Sequence, residues 1–220
     1  MRTALLFSFL CLLAAGCRPQ NSSVPAKPVA REVLQDMEEC IELHVAAGFM
    51  TEEEIVTSAV EYASENYDAA TLTPHAEKIT KQKLAVHLSE QANWPAVTDC
   101  DRLDAAFAAL EGKGIVCRQD FSCCGTCGSG EIWDEMDQTQ KKGVHVRGYA
   151  FYHMQDTESA VVGDGLYISY GSKQDTEPAA IAIAQEISEA LKQQGLKTDW
   201  DGTWKMRIGV KLDWKKRRKK

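Results

Sequence analysis

Residues 98–121 read TDCDRLDAAFAALEGKGIVCRQDF, and the hydrophobic period changes inside this stretch. Thr98 or Asp99 is placed to cap a helix on which Leu103, Phe107 and Leu110 align, and Gly112 and Gly114 end it. From Ile115 to Phe121 apolar and polar residues alternate, the period of a strand. The chain thus divides into a helical part before this point and a part that mixes strands with helices after it, which is the pattern of an α+β fold.

Upstream the signals are helical. Val33, Leu34, Met37, Cys40, Ile41 and His44 form one stripe over residues 31–46, and Gly48 supplies a stop. Thr51 with Glu54 makes a capping box, with Met50 and Ile55 as its hydrophobic staple. A third helix is expected from Thr73-Pro74, where proline is tolerated in a first turn, to Trp94-Pro95. The N-terminal lobe is therefore three to four helices, counting the one after Thr98. Downstream, strands are expected at Ile115–Phe121, Val144–Met154 and Leu166–Tyr170. Asp201-Gly202 reads as a type I′ turn between strands Lys197–Trp200 and Thr203–Leu212. Helices are expected at Glu131–Lys142, over the short segment Asp156–Val162, and at Thr176–Gln194. The sum is a mostly antiparallel sheet of about five strands with two to three helices on one side. The domain boundaries expected are 31–94 for the helical part, 95–214 for the sheet part, and a basic tail over 215–220.

The first thirty residues carry a different message. Arg2 precedes the uncharged run Ala4–Ala15, the layout of a secretory signal and shorter than the roughly 20 apolar residues that cross a bilayer. It closes as Leu13-Ala14-Ala15-Gly16-Cys17, which resembles the lipobox of bacterial prolipoproteins. That resemblance implies a signal peptide over 1–16, lipidation (palmitate included) of Cys17, and a membrane partner. Arg18 in place of Asp favours the outer membrane, periplasm-facing, by the same resemblance. Residues 18–30, RPQNSSVPAKPVA, have the composition of a tether that reaches about 45 Å when extended.

The net charge is −7, with 25 basic and 32 acidic residues. Lys215–Lys220 hold six of the basic ones, and the remainder, 19 against 32, is −13. So acidic a body excludes a nucleic-acid surface on the domain. The tail reads as a solvated end, or as a patch that meets anionic lipid or lipopolysaccharide.

Of eight cysteines, Cys40, Cys100, Cys117, Cys123, Cys124 and Cys127 remain for the folded body. Cys40, on its helix's apolar stripe, fits a buried thiol as well as a bond. Three readings of the cluster stay open. Disulfides among Cys100, Cys117, Cys123, Cys124 and Cys127 would staple the turn in an oxidising compartment. Zinc could sit on Cys123, Cys124 and Cys127, with Cys117, Cys100 or His153 as fourth ligand. A thiol-redox pair Cys124/Cys127 would gain from preceding a helix, whose N-terminus stabilises a thiolate. No thioredoxin unit precedes the motif. A second candidate is the strand face His145, Arg147, Tyr149, Phe151 and His153, which could bind a ligand by stacking and hydrogen bonding. His153, Asp156 and Glu158 could form an acid–base or metal group, although Asp156 or Thr157 also suits a helix cap. No Ser-His-Asp signature, phosphate loop or HExxH motif is present.

The stretches Arg118–Gly128, Gly148-Tyr149, Gln155-Asp156-Thr157-Glu158, Gly165-Leu166-Tyr167 and Tyr170-Gly171 together resemble an uncharacterised bacterial family, a domain of unknown function, over roughly residues 35–212. The resemblance implies that the CCGTCG and QDTE segments are family hallmarks and carries no activity with it. The reading that results is a binding or interaction domain of the cell envelope, with a thiol-dependent or zinc-binding role as the alternative.

Overall fold

The structure, a computed structural model, describes residues 28–218. The expected signal segment, Cys17, residues 18–27 of the tether, Lys219 and Lys220 lie outside them. Among the described residues are seven helices and one five-stranded sheet, an α+β architecture.

Helices α1 (Arg31–Ala47), α2 (Glu52–Ala63) and α3 (Ala69–Gln91) pack on one another around Met37, Ile41, Val45, Ile55, Ala59, Leu72 and Ala76. The Thr51/Glu54 capping box forms as expected. Helix α3 begins earlier than expected. Asp68 accepts from the Thr71 N–H at 2.8 Å and caps it, and Pro74 sits inside the helix. A strong acidic cap outweighs the single hydrogen bond that proline removes.

Helix α4 (Asp99–Glu111) leads to β1 (Ile115–Arg118), followed by α5 (Gly125–Lys141), β2 (Gly148–Phe151), α6 (Met154–Val161), β3 (Leu166–Ser172), α7 (Glu177–Gln193), β4 (Lys197–Asp199) and β5 (Ile208–Lys211). The sheet order is β1-β2-β3-β5-β4. Only β1 and β2 are parallel, since α5 crosses between them. On one face, Leu103, Phe107, Leu110, Ile183, Ile187 and Leu191 of α4 and α7 meet Ile115, Ala150, Ile168, Ile208 and Val210. Helices were expected on one side alone, but α5 covers the other face at β1–β2, where Ile132 and Met136 pack on Val116 and Phe151.

Three further expectations change. The strand expected over Val144–Met154 is only Gly148–Phe151, because His153 turns the chain into α6. The two-residue hairpin at Asp201-Gly202 is instead a loop over 200–207, with Lys197 paired to Lys211 and Asp199 to Gly209. Asp201 accepts from the N–H and hydroxyl of Thr203, so a local side-chain turn replaces type I′ pairing. Trp204 and Met206, within this loop, are exposed.

Finally, Lys215–Arg218 are not a free end. Trp214 donates to the Ala46 carbonyl at 3.0 Å and packs on Phe49 and Tyr152. Lys216 bonds Asp104 at 2.7 Å. Arg218 donates to the carbonyls of His44, Val45 and Met50 at 2.7 to 2.8 Å, closing the C-terminus of α1 with the charge its dipole favours. The tail straps the helical part to the sheet.

Candidate functional site

The end of β1 and the start of α5 set the site. After Arg118 the chain pairs briefly with the segment beyond β2, with Phe121 N–H to the Tyr152 carbonyl at 2.9 Å and Met154 N–H to the Ser122 carbonyl at 3.1 Å. Between these bonds Asp120 and Ser122 take φ of +51° and +65°, a conformation that costs a non-glycine residue about 1 kcal/mol or more. The double turn swings residues 123–127 to the head of α5, which starts at Gly125, six residues before its expected beginning at Glu131.

Cys124 is the N-cap of α5, and the sulfurs of Cys123, Cys124 and Cys127 lie within 4.8 Å of one another. Cys123 and Cys127 are exposed and Cys124 is half-buried. No cap hydrogen bond closes on the Cys124 side chain. The Cys127 backbone N–H still draws the Cys124 thiol below its ordinary range, aided by the thiols of Cys127 and Cys123. Cys127 is pushed up to about 11, first by the Cys123 thiol and then by Cys124. The helix end thus makes two unlike thiols out of one CxxC.

The remaining cysteines are elsewhere. Cys117 is buried against the α4 side of the sheet and Cys100 on α4, with burial holding Cys117 well above the ordinary thiol range and Cys100 at about 12. All six cysteines of the described residues are free thiols. The expected disulfide staple is therefore not seen. Cys117 points into the core, and its Sγ sits 3.5 Å from the Ile115 carbonyl rather than facing the turn. Neither Cys100, Cys117 nor His153 belongs to the group of candidate ligands, which is the three cluster cysteines alone.

His153 is nevertheless beside them. A Cβ on Gly125 would lie 3.4 Å from its Nε2, so the imidazole rests on the first residue of α5. His153 is also the N-cap of α6, where Asp156 or Thr157 was expected. Its Nδ1 accepts from the Asp156 N–H at 3.3 Å, and its own N–H donates to the Asp156 carboxylate at 3.2 Å. With Nδ1 accepting, the proton of the neutral ring resides on Nε2, 3.0 Å from Asp156 Oδ2. Burial lowers the His153 pKa, with Asp156 opposing, so the ring is neutral at neutral pH. Arg207 completes the group, reaching both Asp156 oxygens at 2.9 and 3.0 Å while stacking 5.2 Å over Tyr167. Nothing in the sequence links Arg207, in the segment expected as the last strand, to Asp156.

Other candidates separate. Glu158 points to the α1 side, lining a small cavity with His44 and Asp120. Thr157 donates to Asp120 at 2.6 Å. Arg147 pairs with Glu186 of α7 at 3.0 Å. Tyr149 and Phe151 stack on each other under α5, with Trp133 against Tyr149, so this strand face is core rather than groove. A groove of about 690 Å³ between α2 and α3 is lined by Glu52, Glu53, Val56, Val60 and Glu77, far in sequence from the thiols.

With this geometry in place, comparison with known families finds one model, described as Domain of unknown function (DUF6891), that matches residues 30–218. The chain belongs to this family. No curated protein and no solved structure matches. The DUF6891 match ends at Arg218, the residue that caps α1, so it takes in the strap as well as the sheet. Within the DUF6891 domain, Cys123, Cys124 and Cys127 could hold a metal ion.

Proposed function

We propose that this protein is a lipid-anchored protein of the bacterial cell envelope whose domain binds a thiophilic cation, zinc first, through Cys123, Cys124 and Cys127. The observation that supports this reading is the gathering of three accessible sulfurs within 4.8 Å at a helix N-terminus. Tetrahedral zinc with sulfur at 2.3 Å needs sulfurs about 3.8 Å apart, a short contraction from this arrangement. The N–H groups at the head of α5 favour the thiolate forms that ligation requires. Three protein donors leave a fourth position open to water or an exogenous ligand, as in zinc sites that do chemistry. His153, bound to Asp156, rests against Gly125, the residue between Cys124 and Thr126. Titration of the reduced, detergent-purified full chain with zinc against a chromogenic chelator is expected to give one ion per chain, weakened at least tenfold in Cys127→Ser. No competition at micromolar zinc would end the reading. The anchor is tested separately, by palmitate labelling that a Cys17→Ala variant abolishes.

A second reading rests on the unequal thiols. The Cys124 thiolate would attack a substrate disulfide, forming a mixed disulfide and releasing one substrate thiol. Cys127, once deprotonated, would then attack Cys124 and release the second, leaving Cys124–Cys127 oxidised. Reduction of a peptide disulfide driven by dithiothreitol, lost in Cys124→Ser while zinc-free protein stays active, would favour it over the metal reading.

A further inference from the structure

The loop over 200–207 is exposed, yet its backbone is tied down. The Tyr170 hydroxyl lies 3.0 Å from both the Thr203 and Met206 carbonyls, Trp200 Nε1 donates to the Thr203 carbonyl at 3.1 Å, and Thr203 donates twice to Asp201 at 2.8 Å. These bonds turn the loop's polar groups inward and hold Trp204 and Met206 outward, 48% and 55% exposed. Beside them Tyr167, 42% exposed, lies under Arg207. The cross-strand row Tyr167, Gly209 and Asp199 defines the face of β3–β5–β4 that carries Lys197 and Lys211, both exposed. Three lysines, Lys197, Lys205 and Lys211, stand here against Asp199 and Asp201, with Arg207 paired to Asp156, in a chain of net charge −7.

A tied loop that presents a tryptophan and a methionine between lysines and an arginine has the two components of interfacial attachment. Indole and thioether bodies enter the headgroup–acyl boundary, and the cations meet anionic headgroups. We propose that this loop and sheet face form a membrane-docking surface for an anionic phospholipid bilayer, with Trp204 and Met206 inserted. The proposal rests on the membrane-anchored reading for its setting.

The test uses the full chain reconstituted in vesicles of phosphatidylcholine, with and without phosphatidylglycerol, carrying brominated acyl chains that quench nearby indoles. All five tryptophans lie in the domain, at 94, 133, 200, 204 and 214, so the leader is silent. Anionic vesicles are expected to quench the share of one tryptophan, and Trp204→Phe to remove that component. Lys205→Glu with Lys211→Glu should reduce it severalfold. Equal quenching in wild type and Trp204→Phe, or equal quenching on neutral and anionic lipid, overturns the proposal. So does binding of RNA or a protein at this face without quenching. Loss of palmitate labelling would overturn the anchor alone and leave this result standing.

Discussion

The Nε2 of His153 lies 3.4 Å from where a side chain on Gly125 would begin, which couples buried Asp156 and its exposed partner Arg207 to the head of the helix that carries the thiols. Asp156 holds His153 twice, its backbone N–H donating to the ring Nδ1 and its carboxylate accepting from the His153 backbone N–H. Asp156→Asn keeps the shape and removes the charge that Arg207 pairs with. Half of that pair is solvated, so the expected loss is about 2 kcal/mol, below the range for a wholly buried pair. Because the Asp156 charge raises the His153 pKa against burial, the variant should lower it further. Urea denaturation and the histidine ring resonances across pH check the two effects.

The thiols should separate by reactivity. At neutral pH iodoacetamide is expected to modify Cys124 ahead of Cys127, because alkylation follows the thiolate fraction and the two pKa values are displaced in opposite directions. Raising the pH towards 11 should narrow the difference. Cys100 and Cys117 are buried with raised pKa values and should react only in denaturant. Peptide mapping by mass spectrometry gives the order directly, and equal labelling of Cys124 and Cys127 at pH 7 would refute it.

Much of the fold was legible in the chain, and the parts that were not have physical causes. The capping box at Thr51, the helix of α7 and the period change after Gly114 are local signals that formed, although the strand expected to reach Phe121 ends at Arg118. The cluster Cys123/Cys124/Cys127 was legible because its members are close in sequence. Arg207 was not, because its partner Asp156 is 51 residues away and alternation marks only which face of a strand is wet. The tail was misread for the same reason. A run of cations looks solvated until Asp104, Asp101 and the end of α1 are brought beneath Lys216, Arg217 and Arg218. Tyr149 and Phe151 looked like a ligand-binding face because the strand's period could not show that α5 covers it.

Removing the strap's last side chain tests the new view of the tail. Arg218 is half-buried and donates to three carbonyls at the end of α1 and beyond. Arg218→Ala leaves those acceptors without their charged donor and should cost about 2 to 3 kcal/mol. Lys215→Ala loses only a surface pair with Asp213 and should cost less than about 0.5 kcal/mol. Equal melting temperatures for the two variants would restore the solvated tail.

Stability should fall as the pH drops from 7.5 to 5.5. Burial lowers the pKa of His44, His87 and His153. The unfolded chain takes up protons near 6.5 while the folded one resists, so the unfolded state gains as pH falls through that value. His87 gives the cleanest case. It packs edge-on against Trp94 with Nε2 unpartnered, and burial and Arg218 both disfavour its charge while Lys216 and Glu90 favour it. His87→Phe is expected to flatten the decline in thermal midpoint over this interval, and an unchanged slope would show that other groups carry it.

Two glycines half a turn apart on α5, on opposite faces of the helix, should respond in opposite directions. A Cβ on Gly128 would stand 2.6 Å from the ring of fully buried Phe151, and a packed ring cannot retreat cheaply. Gly128→Ala should therefore destabilise by about 1 to 3 kcal/mol and tilt the first turn of α5 away from the sheet. Because that turn carries Cys124 and Cys127, zinc affinity should drop with it. A Cβ on Gly130 meets nothing within 4 Å, so Gly130→Ala should stabilise by about 0.5 to 1 kcal/mol through helix propensity and leave zinc affinity unchanged. If Gly128→Ala lost stability but kept wild-type affinity, the three sulfurs would be positioned by their own loop and not by the packing of α5 on Phe151.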